Sequence, residues 1–324
     1  MHTHCRQASG DQYGGGPVLT VTPNPAWDVT YPVKELRVGE SNRVSTPSAR
    51  AGGKGVNVAR VVAQLGGQTV AIAPVGRHRV QDFADSLARA EVPARMVPVD
   101  TQLRQSVAVV PEKSGCSVNA PTLFNEAGDP LPDDSWDELI ATLAALAAHQ
   151  GAAVVVVSGS LPPSSTEDRF TALLEAGRSS GAQVLVDTSG PPLVWAARAG
   201  ADLVKSNLLE ALTATGAADL DAAADELHRL GAGSVVITDG SAGMQARQGC
   251  ARWRAQPAEV IAGNPTGAGD AALAALAQSW AEQWPQRLAH AVAASAAAVH
   301  EPVAGHVDPD LVANFRNSVD VEEI

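Results

Sequence analysis

Four short runs dominate the chain from residue 154 onward: Val154–Val157, Val184–Val186, Leu203–Lys205 and Val235–Ile237. Each is apolar or nearly so, and helical stretches separate them. A strand with one face in water alternates polar and apolar residues, whereas a strand that is apolar throughout must be covered on both faces. Buried strands alternating with helices specify an α/β fold: a mostly parallel central sheet flanked by helices. Ligands of such sheets sit beyond the carboxyl ends of the strands. Those ends read Ser158-Gly159-Ser160, Asp187, Ser206-Asn207 and Thr238-Asp239-Gly240, a small and polar rim.

The first half of the chain mixes this pattern with a second one. Val18–Val21 is a further apolar run, halted at Thr22-Pro23-Asn24-Pro25, and Val70–Ala73 is another, expected to end at Pro74. The spacing of Val56, Ala59, Val62, Ala63 and Leu65 predicts a helix stopped by Gly66-Gly67, and further helices are expected over 81–90 and Glu138–Ala148. By contrast Asp28–Val33, Val44–Arg50, Ser106–Val110 and Thr122–Asn125 are polar at alternate positions, as partly exposed strands are. The last two are joined by the polar turn Glu112-Lys113-Ser114-Gly115. These strands predict a small β-sheet lid, contributed by about 28–50 and about 104–126, on a single domain spanning 17–324. Residues 1–16 are polar and glycine-rich and read as a disordered leader rather than a signal peptide.

Composition removes several classes of function. The net charge of −12 argues against a general nucleic-acid or anionic-membrane surface. Cys5, Cys116 and Cys250 are few and widely spaced, so neither a disulfide framework nor a zinc site is suggested. No segment has the long apolar run of a membrane helix, and a cytoplasmic protein is expected. Aromatics make up only 4% of the chain, so Ala, Val and Leu must build the core.

Two glycine turns carry the chemistry. Asn264-Pro265-Thr266-Gly267-Ala268-Gly269-Asp270 opens into an alanine- and leucine-rich helix. A helix start leaves backbone N–H groups unpaired and carries partial positive charge, so it suits an anion. Gly267 and Gly269 allow close approach, and Asp270 falls in the first turn. An anion cradle beside a carboxylate is what phosphoryl transfer to a hydroxyl needs, although the same string also fits a plain loop and cap. Gly52-Gly53-Lys54-Gly55-Val56-Asn57 is the second turn, with a scarce lysine inside it; it lacks the spacing of a Walker-type phosphate loop. Lys54 offers a point charge to a phosphate and Asn57 an amide to a sugar hydroxyl.

Other candidates have two readings each. Asp28 could accept hydrogen bonds from sugar hydroxyls or be a turn residue; Arg104 and Arg43 could close over an anion or be surface charges. Thr238 to Gly243 suits close contact with a phosphate, or a simple hairpin. Asn207 and Glu210 share a helix face and could hold water around magnesium, or form an N-cap with its capping-box glutamate.

The order of these pieces resembles the ribokinase-like sugar kinases, and within them the phosphofructokinase B branch, which includes 1-phosphofructokinases and tagatose-6-phosphate kinases. The resemblance runs from about Leu19 to about Val303. It is carried by Thr22-Pro23-Asn24-Pro25-Ala26-Trp27-Asp28, the Gly52 to Arg60 stretch, Arg104 to Val107, Phe124 to Gly128, Ser158 to Pro163, Asn207 to Glu210, Thr238 to Gly243 and Gly267 to Asp270. It implies transfer of the γ-phosphoryl group of ATP, with Mg²⁺, to a sugar hydroxyl. Asp270 would accept the hydroxyl proton, and the Gly267, Ala268 and Gly269 amides would form the anion hole. Asp28, Gly53, Lys54 and Asn57 would line the sugar site, with Arg104 and Lys54 gripping a phosphate already on the sugar. Lys205, Asn207, Thr238, Gly240 and Gly243 would face the nucleotide, and Glu210 the metal through water. The lid would pair two subunits into a homodimer.

Three departures stand out. Lys205-Ser206-Asn207 replaces the usual Lys-Pro-Asn, Asn264 stands where an Asp often helps hold a monovalent cation, and Ala271 replaces a frequent Ser. The expected acceptor is a ketohexose monophosphate, fructose 1-phosphate or fructose 6-phosphate. Tagatose 6-phosphate, an unphosphorylated sugar and a non-catalytic sugar-phosphate sensor are the alternatives. A nicotinamide-binding oxidoreductase is disfavoured, since no Gly-x-Gly-x-x-Gly follows the first strand.

Overall fold

A computed structural model describes residues 16–111, 121–259 and 261–324. The leader predicted over 1–16, apart from Gly16, and the turn at Glu112–Gly115 lie outside the described residues, as do Cys5 and Cys116.

The elements run β1 (Val18–Val21), β2 (Ala26–Val33), β3 (Ser48–Gly52), α1 (Lys54–Gln64), β4 (Thr69–Gly76), α2 (Val80–Ala88), β5 (Ala94–Val99), β6 (Arg104–Pro111), β7 (Thr122–Asn125) and α3 (Asp133–Gln150). They continue with β8 (Val154–Ser158), α4 (Glu167–Arg178), β9 (Gln183–Asp187), α5 (Pro191–Arg198), β10 (Leu203–Asn207), α6 (Leu208–Thr215), α7 (Leu220–Leu230) and β11 (Ser234–Thr238). The chain ends with β12 (Met244–Gln248), β13 (Ala251–Gln256), α8 (Ala268–Gln278), α9 (Trp284–Val299), α10 (Pro309–Arg316) and β14 (Asp320–Glu323).

The large sheet has the order β14-β13-β12-β11-β10-β9-β8-β1-β4-β5. It is parallel from β11 across to β5 and antiparallel at the β12–β14 end. The chain winds outward from β1 through β4 to β5, then from β8 to β11 on the other side, so the strand order reverses beside β1. A crevice opens at such a reversal, at the carboxyl ends of the strands.

Both faces of the parallel part of this sheet are buried, which is why its strands are largely apolar. Val155 and Val157 point to the layer of α3, α4, α5 and α7, where Leu139, Phe170, Leu193 and Leu227 pack. Val154 and Val156 point to the layer of α1, α8 and α9. Every residue of α8 from Asp270 to Gln278 is buried, and its run of alanines lets it sit between α1 and α9 without a bulky face. That burial fixes the start of α8 in place.

The second sheet has the order β3-β2-β6-β7. β2 pairs with β3 antiparallel and with β6 parallel, which places Arg50, Asp28 and Ser106 side by side, with Asn125 beyond Ser106.

Several boundaries differ from expectation. The strand predicted over Val44–Arg50 runs Ser48–Gly52 instead, beginning just after Pro47, which has no N–H to give a ladder. β4 passes through Pro74 to Gly76, because beyond Ile72 it pairs with β5 alone and has left β1 behind, so an absent donor is tolerated there. α3 begins five residues before the predicted Glu138, straight after Pro132, with Asp133 and Asp134 favoured in its first turn.

Candidate active site

A cleft of about 1410 Å³ lies between the carboxyl edge of the large sheet and the small sheet. Its wall includes every site residue that the family resemblance implies: Asp28, Gly53, Lys54, Asn57, Arg104, Lys205, Asn207, Glu210, Thr238, Gly240, Gly243, Gly267, Ala268, Gly269 and Asp270. Arg43 is not among them; it is exposed beyond the small sheet, and Arg50 reaches the cleft instead.

Asp270 is 6% exposed, in the first turn of α8. Burial pushes its carboxyl up to about 6, against the opposing pull of Lys54. The Asp187 carboxylate adds to the rise, while a hydrogen bond from Asn57 and the charge of Lys205 resist it. That bond, Asn57 Nδ2 to Asp270 Oδ2 at 2.9 Å, joins the two glycine turns. Asn57 thus directs its amide at a carboxylate rather than leaving it open for a sugar hydroxyl.

Gly267 caps α8 with φ of 89°, a left-handed conformation that side chains other than glycine rarely adopt. The Ala268 N–H donates to the Pro265 carbonyl at 3.2 Å. The Gly269 and Asp270 N–H groups follow it at the open end of the helix, where no carbonyl lies one turn back. Asn264 serves the same turn: its Oδ1 accepts from the Thr266 N–H at 3.1 Å and its Nδ2 donates to the Pro302 carbonyl at 3.1 Å.

Between the two halves of the cleft lies an ion-pair bridge that sequence reading left as a rim residue. Asp187 ends β9 directly beside Lys205 of β10, and both side chains are 3% exposed. Lys205 Nζ donates to Asp187 Oδ2 at 2.6 Å and Lys54 Nζ to Asp187 Oδ1 at 3.0 Å. Burial opposes charge on Asp187, but the ammonium groups of Lys205 and Lys54 outweigh it and hold the carboxyl down at about 2. Lys54 is in turn held above its ordinary range, chiefly by Asp187. The available signal was an aspartate closing an apolar strand, next in the sheet to a lysine in a chain with few lysines.

On the small sheet, the Asp28 carboxylate fills the space above Gly52: a Cβ there would lie 2.1 Å from Asp28 Cγ. Burial raises the Asp28 carboxyl, and Arg50, Arg60, Arg104 and the Gly53 N–H oppose the rise. Arg104 donates through Nε to the Asn24 carbonyl and through Nη1 to the Glu126 carbonyl, each at 3.1 Å. Asn24 ties this corner to the large sheet, donating to the Ala127 carbonyl at 2.9 Å and to Ser160 Oγ at 3.3 Å.

At the far end, Asn207 and Glu210 form the capping box of α6: Glu210 N–H to Asn207 Oδ1 at 2.8 Å and Asn207 N–H to Glu210 Oε2 at 3.2 Å. Thr238 to Gly243 is a hairpin turn from β11 to antiparallel β12. Gly243 is required by packing, since a Cβ would lie 2.0 Å from the Ala255 carbonyl oxygen.

A buried carboxylate at an open helix start, beside fixed cations and at the reversal point of a parallel sheet, makes this cleft the candidate active site of a ribokinase-like fold. Comparison with known proteins gives the family. The pfkB family carbohydrate kinase model matches residues 25–309, and the chain belongs to that family, whose members transfer phosphate to an alcohol group.

Among relatives, the ATP-dependent 6-phosphofructokinase isozyme 2 of Mycobacterium tuberculosis is 32% identical over 82% of this chain and 78% of its own. The 1-phosphofructokinase of Xanthomonas campestris is 35% identical, over 80% of this chain and 82% of its own. The crystal structure of phosphofructokinase-2 from Escherichia coli in complex with potassium superposes with a TM-score of 0.86 at 28% identity. It covers 94% of this chain and 99% of the other. Among the described residues, no helix is long and apolar enough to cross a membrane.

Proposed function

We propose that the protein transfers the γ-phosphoryl group of ATP to a hydroxyl of a ketohexose monophosphate, fructose 1-phosphate or fructose 6-phosphate, in the cytoplasm. The observation that carries this reading is Asp270: a carboxyl with a value of about 6, buried at an open helix start and held by Asn57. A general base works best when its pKa lies near the working pH. Asp270 takes the proton from the acceptor hydroxyl as the oxygen attacks phosphorus. The Gly267 and Gly269 amides receive the charge on the transferred group, with the Ala268 amide joining them once its long bond to Pro265 opens.

The halves of the cleft divide the substrates. Asp28, Gly53 and Lys54 hold the sugar, Asn57 serves Asp270 beside it, and Arg104 with Lys54 takes the phosphate it already carries. Lys205, Asn207, Thr238, Gly240 and Gly243 face the nucleotide. Among the described residues no group of three or more His, Cys, Asp or Glu gathers as a metal cage. Mg²⁺ keeps most of its waters and binds through phosphates and one or two carboxylates. Glu210, fixed by its capping box with one oxygen left over, would hold such a water. Mg²⁺ bound there would neutralise charge on the polyphosphate.

The small sheet acts as the lid. Its edge strand β7 is exposed throughout and shows Leu123 and Phe124 at 45% and 58% exposure. That supports pairing of two subunits through the lid, and an Escherichia coli phosphofructokinase-2 structure is described as a tetrameric inhibited form.

ADP release measured with a panel of sugars and sugar phosphates tests the reading. Turnover with fructose 1-phosphate or fructose 6-phosphate is expected. Tight binding of one of them with no turnover on any would favour a sensor, and preference for an unphosphorylated sugar would remove the role given to Arg104.

A further inference from the structure

Arg50 lies where the two sides of the cleft meet. The register of β2 and β3 sets it directly across from Asp28, and its charge acts on that buried carboxylate. Its Nη2 donates to the carbonyl of Ala304, in the loop 301–307 that follows α9.

This loop backs both parts of the catalytic turn. Ala304 fills the space beside Gly267, where a Cβ would lie 2.7 Å from Ala304 Cα. Gly305 lies against Asn57, where a Cβ would come within 2.7 Å of Asn57 Oδ1, and Asn57 holds Asp270. The rear of the loop is pinned to α1: Gln64 Nε2 donates to the Gly305 carbonyl at 3.0 Å and the Val307 N–H donates to Gln64 Oε1 at 2.8 Å. Arg50 grips the front of the loop from the small sheet.

We propose that Arg50 is a positioning residue that couples the sugar side of the cleft to the Gly267–Asp270 turn through the loop 301–307. This deepens the kinase reading and rests on it. A guanidinium presents its N–H groups as a rigid planar fork, so it can face Asp28 with one edge while Nη2 holds Ala304. When a sugar hydroxyl engages Asp28, Arg50 shifts with it and carries the wall behind Gly267. The transfer turn is then set when the acceptor is in place. A lysine would keep the charge beside Asp28 but, as a single point, could not hold both partners.

Arg50→Lys and Arg50→Gln separate these functions. Arg50→Lys is expected to keep KM for the sugar phosphate within about threefold of wild type while kcat falls about tenfold or more. Arg50→Gln, which also loses the charge, is expected to raise KM about tenfold as well. Hydrogen exchange without substrates supplies a readout independent of turnover: both variants should exchange faster at 301–307 and at 267–270, with the rest of the fold unchanged. That measurement stands even if no ketohexose phosphate is a substrate, so the two readings fail separately. Wild-type kcat and wild-type exchange in Arg50→Lys would overturn the proposal, leaving Arg50 as a charge beside Asp28. Faster exchange spread evenly over the whole fold would overturn it too, as the mark of a general stability role.

Discussion

Asn57 and Asp270 stand 213 residues apart in sequence and are joined by a buried hydrogen bond of 2.9 Å, from the amide of one to the carboxylate of the other. The bond stabilises the charged form of Asp270 and so works against the burial that pushes its carboxyl up to about 6. We predict that Asn57→Ala moves the acidic limb of the kcat profile to higher pH and lowers the plateau by about tenfold or more. A pH–rate profile of the variant checks this. An unmoved limb would mean that Asn57 serves the sugar and not the base.

The Asp187 bridge gives a prediction on stability. Asp187→Asn leaves the ammonium group of Lys205 buried without its counter-charge, and breaking a buried pair from one side costs about 3–5 kcal/mol. Chemical unfolding at neutral pH should show a loss of that order. The Asp187 carboxyl is depressed in the folded state, so the stabilisation it brings is present above the ordinary aspartate value of 3.8 and is lost as pH falls toward about 2. Wild type and variant should therefore converge in stability only in strong acid. Equal stability at pH 7 would mean that the bridge contributes nothing net.

For Asp270 the sign is reversed. Its folded value of about 6 lies above the ordinary 3.8, so the folded protein binds the proton more tightly than the unfolded chain does. Ionised Asp270 therefore costs stability at neutral pH, on the order of 2–3 kcal/mol. The cost builds as pH rises from 3.8 to about 6 and is full above that. Asp270→Asn should raise the thermal midpoint at pH 7.5 by several degrees and lose this advantage below about pH 4. A variant no more stable than wild type at pH 7.5 would show that the carboxylate is well solvated or fully compensated.

The large sheet was legible because its parallel strands obey a simple physical rule: both faces are covered, so Val154–Val157 and its counterparts are apolar but for Lys205 at the end of its run. The glycine turns were legible for a similar reason, since Gly53 and Gly267 adopt positive φ at helix starts. Partnership was not legible. Nothing local in the sequence says that Lys54 and Lys205 share one carboxylate, or that the Asn57 amide turns toward Asp270 instead of a ligand. Those contacts depend on strand order, which brings β9 beside β10 and α1 beside α8. The strand expected over Val44–Arg50 starts and ends later, at Ser48–Gly52, so that Arg50 and not Arg43 reaches the cleft, and Pro47 was the clue. The hairpin of β12 and β13 with β14 escaped notice, since these strands lie at the open end of the sheet and carry the mixed composition of half-exposed strands.

The central claim is that Asp270 is the base of a sugar-phosphate kinase, and Asp270→Asn tests it most directly. Calorimetric binding of nucleotide and sugar phosphate should stay within a few-fold of wild type, while turnover falls by about 10²–10⁴. Turnover retained near the wild-type rate would contradict the account, and binding lost together with rate would show that the carboxylate builds the turn instead of serving the reaction.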